Sequence, residues 1–119
     1  MYQLITTKGR KSADNLADLA EWLEEMQPSS VRIVWGEIEA EVEWSDDAGV
    51  IADELRRALR MEEADRLGFT VSNDNIYLGD LDAPHGELKF IRFDVGAPVL
   101  VTGHDHRPLA DGETLESLL

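Results

Sequence analysis

Three histidines, His85, His104 and His106, are the side chains in this chain best suited to moving a proton or holding a metal near neutral pH. His104 and His106 flank Asp105 in the segment 103–108 (GHDHRP), which reads as a loop. An H-x-H pair can hold a divalent ion when a third ligand arrives, here from Asp80, Asp82 or His85. Nothing in the spacing brings residue 85 to residue 104, and solvated loop histidines are the plainer account. Asp80 and Asp82 beside His85 form the most distinctive acid–base set, but the chain has so many carboxylates that pairs alone discriminate nothing. Gly36, Gly79 and Gly86 do not build a phosphate cradle: there is no GxGxxG, no GxxxxGK[ST] and no GxSxG. Absence of cysteine removes thiol nucleophiles, thiolate zinc sites and disulfides. The expectation is a protein that is not an enzyme, with no assigned cofactor or metal.

What the chain does carry is localised charge. Between Asp14 and Glu54 lie thirteen acidic residues and a single base, Arg32, in a protein of net charge −14. The first thirteen residues hold Lys8, Arg10 and Lys11 and no acid. A field concentrated in this way bears on partners more than on fold. It argues against direct binding to nucleic acid or to anionic membranes, whose affinity comes from Lys and Arg neutralising phosphates. No segment approaches the 18 or so apolar residues of a membrane span, and the N-terminal apolar run before Lys8 is too short for a signal-peptide core. A cytoplasmic location is the expectation.

The charged residues need elements to position them. At 119 residues, with 43% hydrophobic and 30% charged residues, the chain fits one domain, 1–119. Tyr2–Thr7 reads as a strand broken by Gly9. Ser12 is a helix cap ahead of a helix over 13–26, with Leu16, Leu19, Ala20, Leu23 and Met26 as its apolar stripe. Val31–Trp35 and Glu37–Trp44 alternate in opposite phase around Gly36, which predicts a hairpin. Ser45 caps a second helix over 46–67, with Asp46 and Asp47 in its first turn and Gly68 as its stop. Asp53–Arg57 and Glu62–Arg66 are expected i,i+4 pairs within it. A hairpin around Asn73-Asp74-Asn75 follows, then strands over 87–95 and 98–102, with a bulge at Phe90-Ile91, and a short frayed helix within 109–119. The order predicts an α+β fold: a ferredoxin-like β-α-β-β-α-β sandwich with an additional C-terminal β-hairpin.

Placed on those elements, the acids form two rows. Asp14, Asp18, Glu21 and Glu25, at spacings of 4, 3 and 4, share the helix face opposite the leucines. Like charges so spaced repel by a few tenths of a kcal/mol per pair. Glu24 and Glu25 also sit where the helix dipole disfavours anions. Glu37, Glu39, Glu41 and Glu43 fall on the outward face of one strand, about 6.8 Å apart, close to every second phosphate step of a DNA strand. Trp22 borders the leucine stripe and is a candidate interface anchor, whereas Trp35 and Trp44 belong to the core. Arg56, Arg57 and Arg60 read as charge balance for neighbouring acids.

These residues define the expected partner: a basic protein surface, such as that of a nucleic-acid-binding protein or complex. In the sharpest form the chain imitates phosphate charge, as phage-encoded inhibitors of host defence nucleases (the anti-CRISPR class) do. The likeness is one of size and charge alone. Two accounts compete with it. In one, the acidity serves solubility in a salt-adapted organism, consistent with three lysines against eight arginines. In the other, the histidine loops serve a small metal-dependent enzyme. An edge strand or Trp22 could also support a homodimer.

Overall fold

A computed structural model describes residues 1–42, 48–79, 88–94 and 97–118. Glu43, Trp44, the Ser45 cap, Asp46, Asp47, Asp80, Asp82 and His85 fall outside the described residues. The architecture is α+β, with two helices and two antiparallel sheets.

The first sheet contains β1 (Tyr2–Thr6), β2 (Gly9–Ala13), β3 (Val31–Trp35) and β4 (Ile38–Val42) in the order β2-β1-β3-β4. Alternation determines which side chains turn inward. Tyr2 and Leu4 on β1, Val31 and Ile33 on β3 and Ala40 on β4 are buried against the helices. Gly36 turns the β3–β4 hairpin at φ +62°, a left-handed conformation that glycine adopts without the clash a Cβ brings. β2 corrects the expected helix start. Residues 9–13 pair with β1, so Ser12 lies in a strand and Asn15 is the cap, its Oδ1 accepting from the Asp18 N–H at 2.9 Å. Helix α1 (Leu16–Met26) buries Leu16, Leu19, Ala20 and Leu23 and ends at Gln27, whose φ of 45° lets its N–H reach the Leu23 carbonyl at 2.8 Å.

Helix α2 (Ala48–Leu67) links two hydrophobic cores. Its first half packs Ile51, Ala52, Leu55 and Leu59 beneath the first sheet, beside α1. Its last turns bring Met61 and Ala64 to the second sheet. Twenty residues at 1.5 Å each give about 30 Å of helix, which accounts for the elongated 48 × 25 × 23 Å envelope. The intrahelical pairs expected on α2 are replaced by longer reaches. Arg57 pairs with Asp74 at 2.8 Å and Arg66 with Glu37 at 2.5 Å, because an arginine on an exposed helix flank spans to the next element.

The second sheet is a meander of β5 (Thr70–Ser72), β6 (Asn75–Tyr77), β7 (Lys89–Asp94), β8 (Ala97–Thr102) and β9 (Asp105–Pro108). Asn73 and Asp74, at φ 52° and 64°, form the β5–β6 turn. Two expectations fail here. β7 and β8 pair without interruption from Lys89↔Thr102 to Asp94↔Ala97, so Phe90-Ile91 is not a bulge. Ile91 points to the core while Phe90 joins Tyr77 and Val101 on the other face, so both faces are apolar at that point. The 103–108 segment is not a loop either. Gly103 and His104 make a tight turn into β9.

The ferredoxin-like topology is not what forms. That fold puts its four strands in one sheet, with helical crossovers linking strands that are not neighbours, whereas here β1 pairs directly with β2 and with β3 and the strands divide between two sheets. Direct β1–β2 and β3–β4 hairpins need no helical crossover, which favours the antiparallel arrangement.

The C-terminal segment closes the second core with Leu109, Leu115 and Leu118, the last in a 3₁₀ turn over Glu116–Leu118. A buried polar centre holds it. Arg60 and Glu63 are each only 3% exposed and pair at 2.8 Å. Arg60 donates further to the carbonyls of Glu113 at 2.5 Å and Ala110 at 2.9 Å, and its guanidinium lies 5.1 Å from the Trp35 ring centroid. Glu63 accepts from the Leu115 N–H at 3.0 Å. Arg56 reaches Asp53 and Asp111, and the Tyr2 hydroxyl donates to the Asp111 carbonyl at 2.8 Å. Burial, reinforced by Asp111, pushes the Tyr2 phenol above its ordinary value.

Candidate anionic docking surface

The two acidic rows lie at opposite margins of the first sheet. α1 packs beside β2 and α2 beside β4, with β2 and β4 the two edges. The outer stripe of α1 therefore belongs to the helical layer at the β2 edge. Glu39 and Glu41 lie on the other face, at the β4 edge. The rows do not merge into one patch.

Their electrostatic states also differ. Arg32 on β3 stands opposite Glu41, donating to it at 3.2 Å, and lies 3.9 Å from Glu39. Glu37 sits in the turn before β4, not on the strand, and takes Arg66. The carboxylates at 37, 39 and 41 are thus partly neutralised by cations of their own chain. These pairs are exposed, and exposed pairs contribute little to stability, but they cancel the bare anionic row that alternation alone predicts.

On α1 and the junction before it the carboxylates form no ion pair among the described residues. Asp14, Asp18, Glu21, Trp22 and Glu25 line one groove together with Lys11, Ser12, Ala13 and Asn15. The local cause is the β2–α1 junction. β2 ends at Ala13, Asp14 and Asn15 turn the chain, and the helix rises past the end of the strand. The leucines face the core, which leaves positions 18, 21 and 25 on the outside. Asp18 and Glu25 are about 10 Å apart along the axis at 1.5 Å per residue. Among the described residues no ion pair reaches any of the four acids. Asp18 accepts a hydrogen bond from the Asn15 amide at 3.2 Å. Trp22 is half-buried, packed on the first core with part of its indole in the groove.

His104 and His106 are exposed on the β8–β9 hairpin. No group of three or more potential metal ligands occurs among the described residues. Arg56, Arg57 and Arg60 each meet an acid, and Arg57 also lies 5.6 Å from the Phe93 ring centroid. Sequence reasoning did not find the depth of the Arg60–Glu63 pair. The signal available was Arg60 and Glu63 at i,i+3 on a helix whose second half has few apolar residues to bury.

Comparison of the chain with protein-family models, with curated proteins and with solved structures finds no match. No helix among the described residues is long and apolar enough to cross a membrane.

Proposed function

We propose that this chain is a small, non-enzymatic acidic binding protein of the cytoplasm that docks the outer face of α1 on a basic surface of a protein partner. One observation carries the reading. Four carboxylates that form no ion pair among the described residues surround a half-buried tryptophan in one groove, with one cation, Lys11, in its lining. Each remains available to a foreign Arg or Lys, and a desolvated indole face attracts a guanidinium. Such charge complementarity chiefly sets the rate of encounter and the choice of partner. In its sharper form the partner surface is one that otherwise holds nucleic acid, and the α1 carboxylates occupy the places of phosphates. Glu39 and Glu41 contribute less, because each must first give up Arg32.

Affinity capture from lysate at low ionic strength, eluted by a salt gradient, tests this. The wild type and a Glu39→Gln/Glu41→Gln variant should retain the same basic protein. An Asp14→Asn/Asp18→Asn/Glu21→Gln/Glu25→Gln variant should lose it. Equal retention by that last variant places the site elsewhere and overturns the reading.

A further inference from the structure

We infer that the open face of the first sheet is a contact surface for a second copy of this chain, with the two sheets stacked face to face about a two-fold axis parallel to the strands. The inference is independent of the α1 site, which lies on the opposite side of the layer.

Both helices pack on one side of the sheet, and no described element covers the other. Two cross-strand rows make up that uncovered face. One row runs Ser12, Gln3, Val34, Glu39 from the β2 edge to the β4 edge, and the next runs Arg10, Ile5, Arg32, Glu41. Gln3, Ile5 and Val34 are half-buried on the two central strands beside Arg32, and Arg10, Glu39 and Glu41 lie on the edge strands. Arg10 and Arg32 balance Glu39 and Glu41, so this face is formally neutral on a chain of charge −14. Two copies that repel elsewhere can approach here.

The arrangement of the charges then selects the geometry. Arg10, with no ion pair among the described residues, marks the β2 edge as positive. Two carboxylates share the single Arg32 near the other edge, which is negative. A two-fold axis across the strands would set β2 over β2, cation on cation. An axis along the strands, between β1 and β3, sets β2 over β4 and places Arg10 against Glu41 of the second copy, twice. Ile5 then lies against Arg32 of the second copy and Val34 against its Gln3, each apolar side chain covering the aliphatic stem of its opposite number, in the aligned mode common to stacked sheets. The contact is isologous, as closed dimers require. Four strands of five residues span about 19 × 17 Å, well below the area of a stable interface, so the dimer is weak and transient. Both α1 grooves remain on the outside.

The test is a charge swap read by sedimentation equilibrium at about 0.15 M salt, where screening over about 8 Å confines the comparison to the contact. Wild type should dimerise reversibly. Arg10→Glu alone and Glu41→Arg alone should each weaken dimerisation at least tenfold. An equimolar mixture of the two should restore it as a heterodimer, which also shows both variants to be folded. Wild type that stays monomeric at 1 mM, dimerisation unmoved by either substitution, or a mixture no better than its components overturns the proposal. Loss of partner capture by the α1 variant bears only on the other surface.

Discussion

Replacing Glu21 and Glu25 by glutamine should make the protein more stable while removing its binding. Glu21 lies three residues from Asp18 and four from Glu25 on one exposed helical stripe. Each like-charged contact at these spacings costs roughly 0.2–0.5 kcal/mol, and the double replacement relieves both. Glu25 is also in the last turn of α1, which holds no basic residue. Removing an anion from a helix C-terminus returns about 0.3–1 kcal/mol. Gln and Glu have nearly the same helix propensity, so the expected gain is about 0.7–2 kcal/mol, or several degrees in Tm for a chain of this size. Urea denaturation at low salt measures it as a higher midpoint with unchanged slope. In 1 M salt, where the Debye length is about 3 Å, the gain should largely vanish. A surface shaped only by stability would not retain such residues, whereas one held for a partner would. A double variant that is no more stable than wild type at low salt refutes the frustration on which this reasoning stands.

Arg60→Met should destabilise by about 3–5 kcal/mol, since it strands the Glu63 carboxylate in a buried site with one N–H partner left. Arg60→Met/Glu63→Gln should lose less than the two single changes combined, by at least about 1 kcal/mol in a double-mutant cycle of urea melts; strict additivity would contradict the buried pair. Acid should act first on the C-terminal segment. Arg107 grips Glu113 with two bonds of 2.8 and 2.9 Å, and the Ala110 N–H adds a third, which lowers the Glu113 carboxyl from 4.5 to about 2. A carboxylate depressed in the folded state contributes its stability above the unfolded value and loses it as pH falls. The urea midpoint of wild type should therefore exceed that of Glu113→Gln at pH 6, and the gap should close between about pH 4.5 and pH 2. A gap that stays constant over that window would contradict the assignment.

Legibility in the sequence followed the apolar pattern. β3 was readable to the residue because Val31, Ile33 and Trp35 alternate; the leucines at helical spacing revealed the body and end of α1 but not its start, which lies at Leu16 after the Asn15 cap. β2 and β9 were not readable. Both are polar edge strands, GRKSA and DHRP, recruited by hairpin register with an apolar neighbour and without apolar alternation of their own. Edge strands are often polar, which limits further pairing, so the trait that protects them also conceals them. The two-sheet topology was hidden for a related reason. Nothing in the local pattern says that α2 spans two cores, because its partners after Leu59 come from later strands and from a C-terminal segment where Leu115 lies 52 residues beyond Glu63. For the site, the α1 positions of Asp18, Glu21, Trp22 and Glu25 could be read from spacing, whereas Asp14, expected on the same helix, precedes the Asn15 cap. The neutralisation of Glu39 and Glu41 could be read only once register placed Arg32 opposite them. The capture of Glu37 by Arg66 is a tertiary contact that no spacing announces.

The claim that matters most is that α1 and the end of β2 form the cation-accepting face of the molecule. Amide and indole NMR shifts during titration with a hepta-arginine peptide at about 0.15 M salt test it directly, because exposed charges beyond about 8 Å are then screened. Shifts concentrated on residues 11–25 and on the Trp22 indole, and lost in the Asp14→Asn/Asp18→Asn/Glu21→Gln/Glu25→Gln variant, are the predicted result. Shifts spread evenly over the acidic surface, or centred on Glu39 and Glu41, would contradict it.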